Sequence, residues 1–234
     1  MIDENTKIII QGISEPKADY YTEKMIASGT RVAGGVSHGK RGQKIAGIPV
    51  YNSVVEALVE TKAQASVLFA SPGDIYSAGM EAIRAGLKYV ICPSVGMPVH
   101  DMIQILYHIR LKGVCWIGPN SPGIIMVNKA VFGTMTDYSF KKGNISILSR
   151  NQELINHIVE GFNNTDLGQN ICICLGDDML TGSKFIDFLP FFEHDTGTKL
   201  IILCDCNDKP EIEVSIDYIK NMKKPVVAFI PKNG

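Results

Sequence analysis

Short apolar, β-branched runs recur along the chain without alternating apolar and polar positions; the first lie at residues 7–11, 31–36, 49–51, 65–69, 89–92 and 114–117. A strand with one wet face places polar residues at every second position, so these runs read as strands buried on both faces. That requires a parallel sheet with helices packed on each side. The intervening stretches supply the helices. Residues 19–28, 53–62, 75–85 and 99–111 have helical period, Ser53 is placed as an N-cap, and Gly86 and Gly113 are placed to end the last two. The pattern is that of a doubly wound α/β domain, which binds ligands at the carboxyl edge of its sheet.

The rhythm breaks at Gly118-Pro119-Asn120-Ser121-Pro122-Gly123, a rigid turn, and residues 124–142 are weakly patterned. It then restarts, with strands expected at 144–149, 170–175, 200–204 and 225–230 and helices at 152–162, 183–192 and 210–220. The expected division is a first α/β domain over residues 1–121, a connector over 122–143 and a second α/β domain over 144–234. Only Pro231-Lys232-Asn233-Gly234 follow the last strand, whereas a parallel strand normally feeds a crossover helix. Either that strand ends the sheet or the second domain lacks a C-terminal part.

Composition narrows the function classes. Hydrophobic residues make up 45% of the 234 positions and charged residues 20%, enough apolar material for a substantial core. With 23 basic against 24 acidic side chains and no basic stripe, nothing points to nucleic acid. No apolar run is long enough to span a membrane, and the acidic start, Met1-Ile2-Asp3-Glu4-Asn5, is not a secretory signal. A cytoplasmic protein is expected, or an organelle-matrix one if an import peptide was removed. Of the six cysteines, Cys92 and Cys115 stand alone at strand ends, and Cys172/Cys174 and Cys204/Cys206 form two Cys-x-Cys pairs inside apolar strands. Thiols two apart on a strand share a face, so they read as small core residues, and no metal site is expected.

The chemistry-bearing segments gather at the carboxyl edges of the strands. Gly12-Ile13-Ser14-Glu15-Pro16-Lys17-Ala18-Asp19 is the first βα turn, where a phosphate cradle needs glycines and free amides. Here only Gly12 is a glycine, Pro16 removes a donor, and Glu15 and Asp19 set negative charge where a phosphate would sit, offset in part by Lys17. Gly34-Gly35-Val36-Ser37-His38-Gly39-Lys40-Arg41-Gly42 is a basic, glycine-rich loop, either suited to a pyrophosphate or ribose phosphate or simply solvated. Ser94-Val95-Gly96-Met97-Pro98 and Gly118-Pro119-Asn120 follow two later strands. In the second half, Ser149-Arg150-Asn151-Gln152-Glu153 opens a helix whose dipole Glu153 already satisfies, and Gly176-Asp177-Asp178 is either a Mg²⁺-type carboxylate pair or a solvated turn. No histidine pairs with a serine or cysteine at a plausible elbow.

In order and without large gaps, the chain resembles the α subunit of succinyl-CoA synthetase. The resemblance is carried by Gln11-Gly12, the stretch from Ser28-Gly29-Thr30 to Gly34-Gly35-Val36, Gly39-Lys40, Gly47-Ile48-Pro49-Val50, Glu81-Ala82-Ile83, Gly96-Met97-Pro98, Ile117 to Gly123, Gly182-Ser183-Lys184-Phe185-Ile186-Asp187 and Lys224-Pro225-Val226-Val227. It implies a Rossmann-like CoA-binding domain, then an incomplete flavodoxin-like ligase domain, both with mainly parallel sheets. It also implies a β subunit that grasps a nucleotide, and acyl-CoA synthesis through an acyl phosphate and a phosphohistidine. The residues it sets against CoA are Ser14, Lys17, Lys40, Ser94, Gly96 and Asn120.

The departures fall on the working parts. Two glycines of the family's Thr-Gly-x-x-Gly loop are Glu15 and Ala18, and Val95 stands where an acid precedes the third CoA contact. The Ser-Gly-Thr helix start that holds the phosphoryl group is Asn151-Gln152-Glu153, and the tyrosine one turn on is Asn156. The segment orienting the phosphohistidine is Asp205-Cys206-Asn207-Asp208-Lys209, and the phosphohistidine loop would follow Gly234. The expectation is an α-subunit-like protein, catalytically degenerate and with no catalytic residue assigned, that binds CoA at a weakened site. It would partner a β-subunit-like protein or itself. The alternative is an active α subunit of a nucleoside-triphosphate-dependent succinate–CoA ligase, an acid–thiol ligase.

Overall fold

The computed structural model describes residues 2–136, 139–204 and 211–229. The first sheet contains β1 (Lys7–Gln11), β2 (Arg31–Val36), β3 (Lys44–Ile45), β4 (Ile48–Tyr51), β5 (Ala65–Leu68), β6 (Tyr89–Ile91) and β7 (Cys115–Ile117), in the order β3-β4-β2-β1-β5-β6-β7. All its pairings are parallel except β3 with β4. Helices α1 (Ala18–Ala27), α2 (Val54–Thr61), α3 (Ile75–Ala85) and α4 (Val99–Lys112) join these strands. The chain leaves β1 in both directions across the sheet, so the order reverses between β1 and β5. That is the Rossmann-type arrangement, with its crevice at the carboxyl ends of those two strands.

The second sheet runs β13-β12-β10-β11-β8-β9. Its parallel part is β10 (Lys142–Ser149), β11 (Gln169–Cys174), β12 (Leu200–Cys204) and β13 (Val226–Phe229), with helices α5 (Gln152–Gly161), α6 (Phe185–His194) and α7 (Glu211–Lys220). The order of those four strands is flavodoxin-like, as the resemblance implies. β13 lies at the edge, with Val227 and Phe229 exposed. The weakly patterned stretch after residue 122 is more than a connector. It forms β8 (Gly123–Met126) and β9 (Ala130–Gly133), an antiparallel pair that extends the second sheet through β11. These strands are apolar throughout because both faces are covered: every residue of β8 and β9 is buried.

The α1 side of the first sheet and the second sheet share one core, in which Ile10 and Met25 belong with Phe132 and Ile147. The joint is hydrogen-bonded as well as apolar. Thr30 Oγ1 donates to the Val131 carbonyl at 2.5 Å and accepts from the Val131 amide at 3.0 Å. The opposite face of the first sheet has its own core under α2–α4, centred on the fully buried Trp116. Trp116 lies between two glycines: a Cβ on Gly79 would be 2.6 Å from its ring and a Cβ on Gly182 2.6 Å from its side chain. Cys172, Cys174 and Cys204 are buried within strands, as core packing predicts; Cys206 lies outside the described residues. Among the described residues no helix is long and apolar enough to cross a membrane.

Thr30→Val keeps the shape at the joint but removes both bonds to Val131, leaving that backbone pair unsatisfied in a buried setting. A loss of about 1–3 kcal/mol in unfolding free energy, read by urea denaturation, is expected.

Candidate functional site

At the β1/β5 crevice the first turn depends on Gly12. Its φ is +67°, and a Cβ there would sit 1.9 Å from the Phe69 carbonyl oxygen, so the chain leaving β1 passes directly against the chain leaving β5. The turn spends most of its own donors. Gly12 and Ile13 amides both donate to the Val36 carbonyl, Glu15 N–H to Gly12 and Ala18 N–H to Glu15. Lys17, in the left-handed region at φ 67°, precedes α1 without capping it by a side chain, and Asp19 stands in the first turn. What remains is a tight connection with few amides to offer an anion.

The cavity beside this turn has a volume of about 540 Å³. Ser14 and Ser37 meet across it, hydroxyl to hydroxyl, at 2.7 Å. Its carboxylates are Glu15, Asp74 and Glu81, against one imidazole, His38. Glu81 is partly committed, since its Oε1 accepts the first amide of α2, from Val54, at 2.7 Å. Asn52, which sequence reasoning passed over, orders the basic loop by accepting from Gly39 N–H at 3.1 Å. Its place just past β4, at the carboxyl edge, was the available signal. Arg41 is turned away into an ion pair with Glu56, Nε to Oε1 2.6 Å, so the loop's cationic offer falls to Lys40 and His38. Lys17 and Lys40 do not line this cavity.

Ser94, Gly96 and Asn120 do not line this cavity. Ser94 Oγ accepts from Ala70 N–H at 2.8 Å and donates to the Leu68 carbonyl at 3.3 Å, tying the exits of β5 and β6 together. Gly96 turns the loop at φ +82°, against Pro72. Asn120 N–H donates to the Ser94 carbonyl at 2.9 Å, and its Nδ2 donates to Asp178 Oδ1 at 3.0 Å. Asn120 therefore links the first sheet's ligand edge to the second sheet.

A second cavity, of about 500 Å³, opens at the start of α5 between Asn120, Arg150, Asn151, Glu153, Asn156 and Asp177. Asn151 is the N-cap. Its Oδ1 accepts from Glu153 N–H at 2.7 Å and Leu154 N–H at 3.3 Å, and its Nδ2 donates to Asp177 Oδ2 at 3.1 Å. The buried Arg150 donates through Nη2 to the Asp178 carbonyl at 2.6 Å. Asp177 and Asp178 thus accept from different amides, Asn151 and Asn120, rather than converging on one point. Bonds run unbroken from Ala70 through Ser94, Asn120 and Asp178 to Arg150. Residues 205–209, which the resemblance sets against the segment orienting the phosphohistidine, lie outside the described residues.

Burial pushes the Cys92 thiol up to about 12 and raises Cys115 as well, so neither is a ready nucleophile at neutral pH.

Two outcomes follow from these contacts. Asn120→Asp sets a carboxylate against Asp178 in a backbone conformation (φ 56°) that aspartate tolerates; it should cost about 1–3 kcal/mol in urea unfolding, and adding Asp178→Asn should restore most of it. The Cys92 thiol keeps its proton in the folded chain and loses it first when unfolded. Stability should therefore fall as pH rises from about 9 towards 12, and Cys92→Ala should show a shallower decline.

A family model described as a CoA binding domain matches residues 3–96. The chain is 38% identical to the Archaeoglobus fulgidus succinate–CoA ligase [ADP-forming] subunit alpha 2, over 98% of this chain and 80% of that one. It is 36% identical to the subunit alpha of the same ligase from Staphylococcus epidermidis, over 98% of this chain and 76% of that one. In fold it superimposes on Methanosaeta concilii ATP citrate lyase, solved with (3S)-citryl-CoA, with a TM-score of 0.85 at 19% identity, covering 99% of this chain but 41% of the lyase.

Proposed function

Because the chain belongs to the succinate–CoA ligase α-subunit family, we propose that it keeps the family's CoA-binding scaffold while its α5 site no longer accepts a phosphoryl group. One observation carries this reading. The amides at the start of α5 that would receive a phosphoryl oxygen are already bonded to Asn151 Oδ1, and Asn151 is itself held by Asp177. An arriving phosphoryl group would have to displace a cap worth about 1 kcal/mol and then stand beside Glu153 and Asp177. Both carboxylates are exposed, so solvent and salt screen much of their repulsion; the occupied amides weigh more than the charge.

CoA binding is supported by the match to the CoA-binding family model and by the crevice at the strand-order reversal. The contacts available there are unequal. Ser14 and His38 line the cavity, Lys40 lies two residues beyond His38 and Lys17 two beyond Glu15 in the chain, and Glu15, Asp74 and Glu81 oppose a phosphate. The consequence is weak CoA affinity governed by Lys40. The molecule then acts as a ligand-binding or assembly subunit, with a β-subunit-like protein as its partner.

Calorimetric titration of the full-length protein with CoA should give a measurable heat that Lys40→Ala abolishes, whereas no heat at millimolar CoA removes the CoA half of the reading. Incubation with a candidate β subunit, radiolabelled ATP or GTP, succinate and CoA should leave this chain unlabelled. Acid-labile phosphate on it would instead establish an active ligase subunit.

A further inference from the structure

The edge of the first sheet opposite the ligand crevice holds a cleft used by neither site above. It lies where α4 ends and β6 and β7 begin, with the start of α6 as its other wall, and has a volume of about 580 Å³. Junctions between packed layers are favoured places for small-molecule sites, and this volume is typical of them. The wall is apolar where Ile109, Val114, Phe188 and Phe191 face it. Arg110 from α4 and Lys184 before α6 supply two cations, and neither pairs with an acid among the described residues.

The one carboxylate in the lining, Asp187, is partly committed: its Oδ2 accepts the Lys184 amide at 2.8 Å. The following helix start carries no side-chain cap, since Lys184 has no acceptor to give. Two cations against one partly committed carboxylate leave the cleft net positive beside aromatic and aliphatic side chains, which a ligand with an oxyanion head and an apolar body matches. Arginine offers that head a planar fork of donors, and lysine a point charge.

We infer that this cleft binds a small amphiphilic organic anion, independently of the CoA crevice. Cys115 lines the same cleft, with its thiol 3.6 Å from the Ser183 hydroxyl, and so reports on occupancy.

The test uses anilinonaphthalene sulfonate, an aromatic sulfonate that fluoresces when seated in an apolar site, titrated into the full chain. Replacing both cations, Arg110→Glu with Lys184→Glu, should weaken its binding about tenfold or more, because each charge-assisted contact is lost. Saturating dye should also slow alkylation of Cys115, followed by mass spectrometry at alkaline pH. Exposed Val99, Ile103, Tyr107 and Leu111 on α4 form a competing apolar surface, so Tyr107→Lys serves as the control and should leave Cys115 protection intact. Unchanged affinity in the charge-reversed variant, or no slowing of Cys115 alkylation at saturation, overturns the assignment. Loss of CoA binding would not bear on it, because the two clefts lie at opposite edges of the sheet.

Discussion

Backbone packed directly on backbone, where the chain crosses from one sheet to the other, is the constraint on which the rest of the molecule depends. Gly118 lies against the Cys92 carbonyl, and a Cβ on Gly176 would sit 2.2 Å from the Pro119 carbonyl oxygen. Gly182 N–H donates to the Gly118 carbonyl, and Ser121 Oγ donates to the Cys174 carbonyl. No side chain separates these segments, so the exits of β6, β7 and β11 are held within one hydrogen-bonding layer. The carboxyl edge of the first sheet is thereby brought beside the start of α5, and the two cavities become neighbours.

That proximity shapes what each cavity can do. In the first, acids contributed by the turn after β1 and by α3 surround a space whose nearest cations stand outside it. In the second, the helix dipole is answered from within by an asparagine and a glutamate. The second cavity also holds the buried Arg150, so each space sets acids and amides against a nearby cation. At the start of α5 the exposed carboxylates are screened by solvent, so the amides already bonded to Asn151 matter more there than those charges.

Much of this was legible in the sequence. Strands such as Ile8-Ile9-Ile10 are buried on both faces, and their unbroken apolar character says so without any structure. β8 and β9 were not legible, because Gly123, Pro122 and Gly133 punctuate the segment as a loop would, and its burial comes from pairing with β11 far along the chain. The Asn151 cap was open to reading from its position directly before a periodic run. The fates of Asn120 and Arg41 could not, since a contact 58 residues distant and an ion pair with a neighbouring helix leave no local trace. The same non-locality explains why the candidate ligand residues scatter: Ser14 lines the crevice, while Ser94 and Asn120 bond to segments far along the chain.

The indole of Trp116 is flanked by Gly79 of α3 and Gly182 of the loop ahead of α6, two positions 103 residues apart that share no other task. Any substitution that enlarges either glycine collides with the ring, and any that shrinks the ring leaves a void facing both. Across descendants of this chain positions 116 and 79 are expected to drift as a pair, a smaller residue at 116 opening the way to alanine at 79, while 182 stays glycine because a Cβ there would also meet the Trp116 Cβ and carbonyl oxygen, each at 2.6 Å.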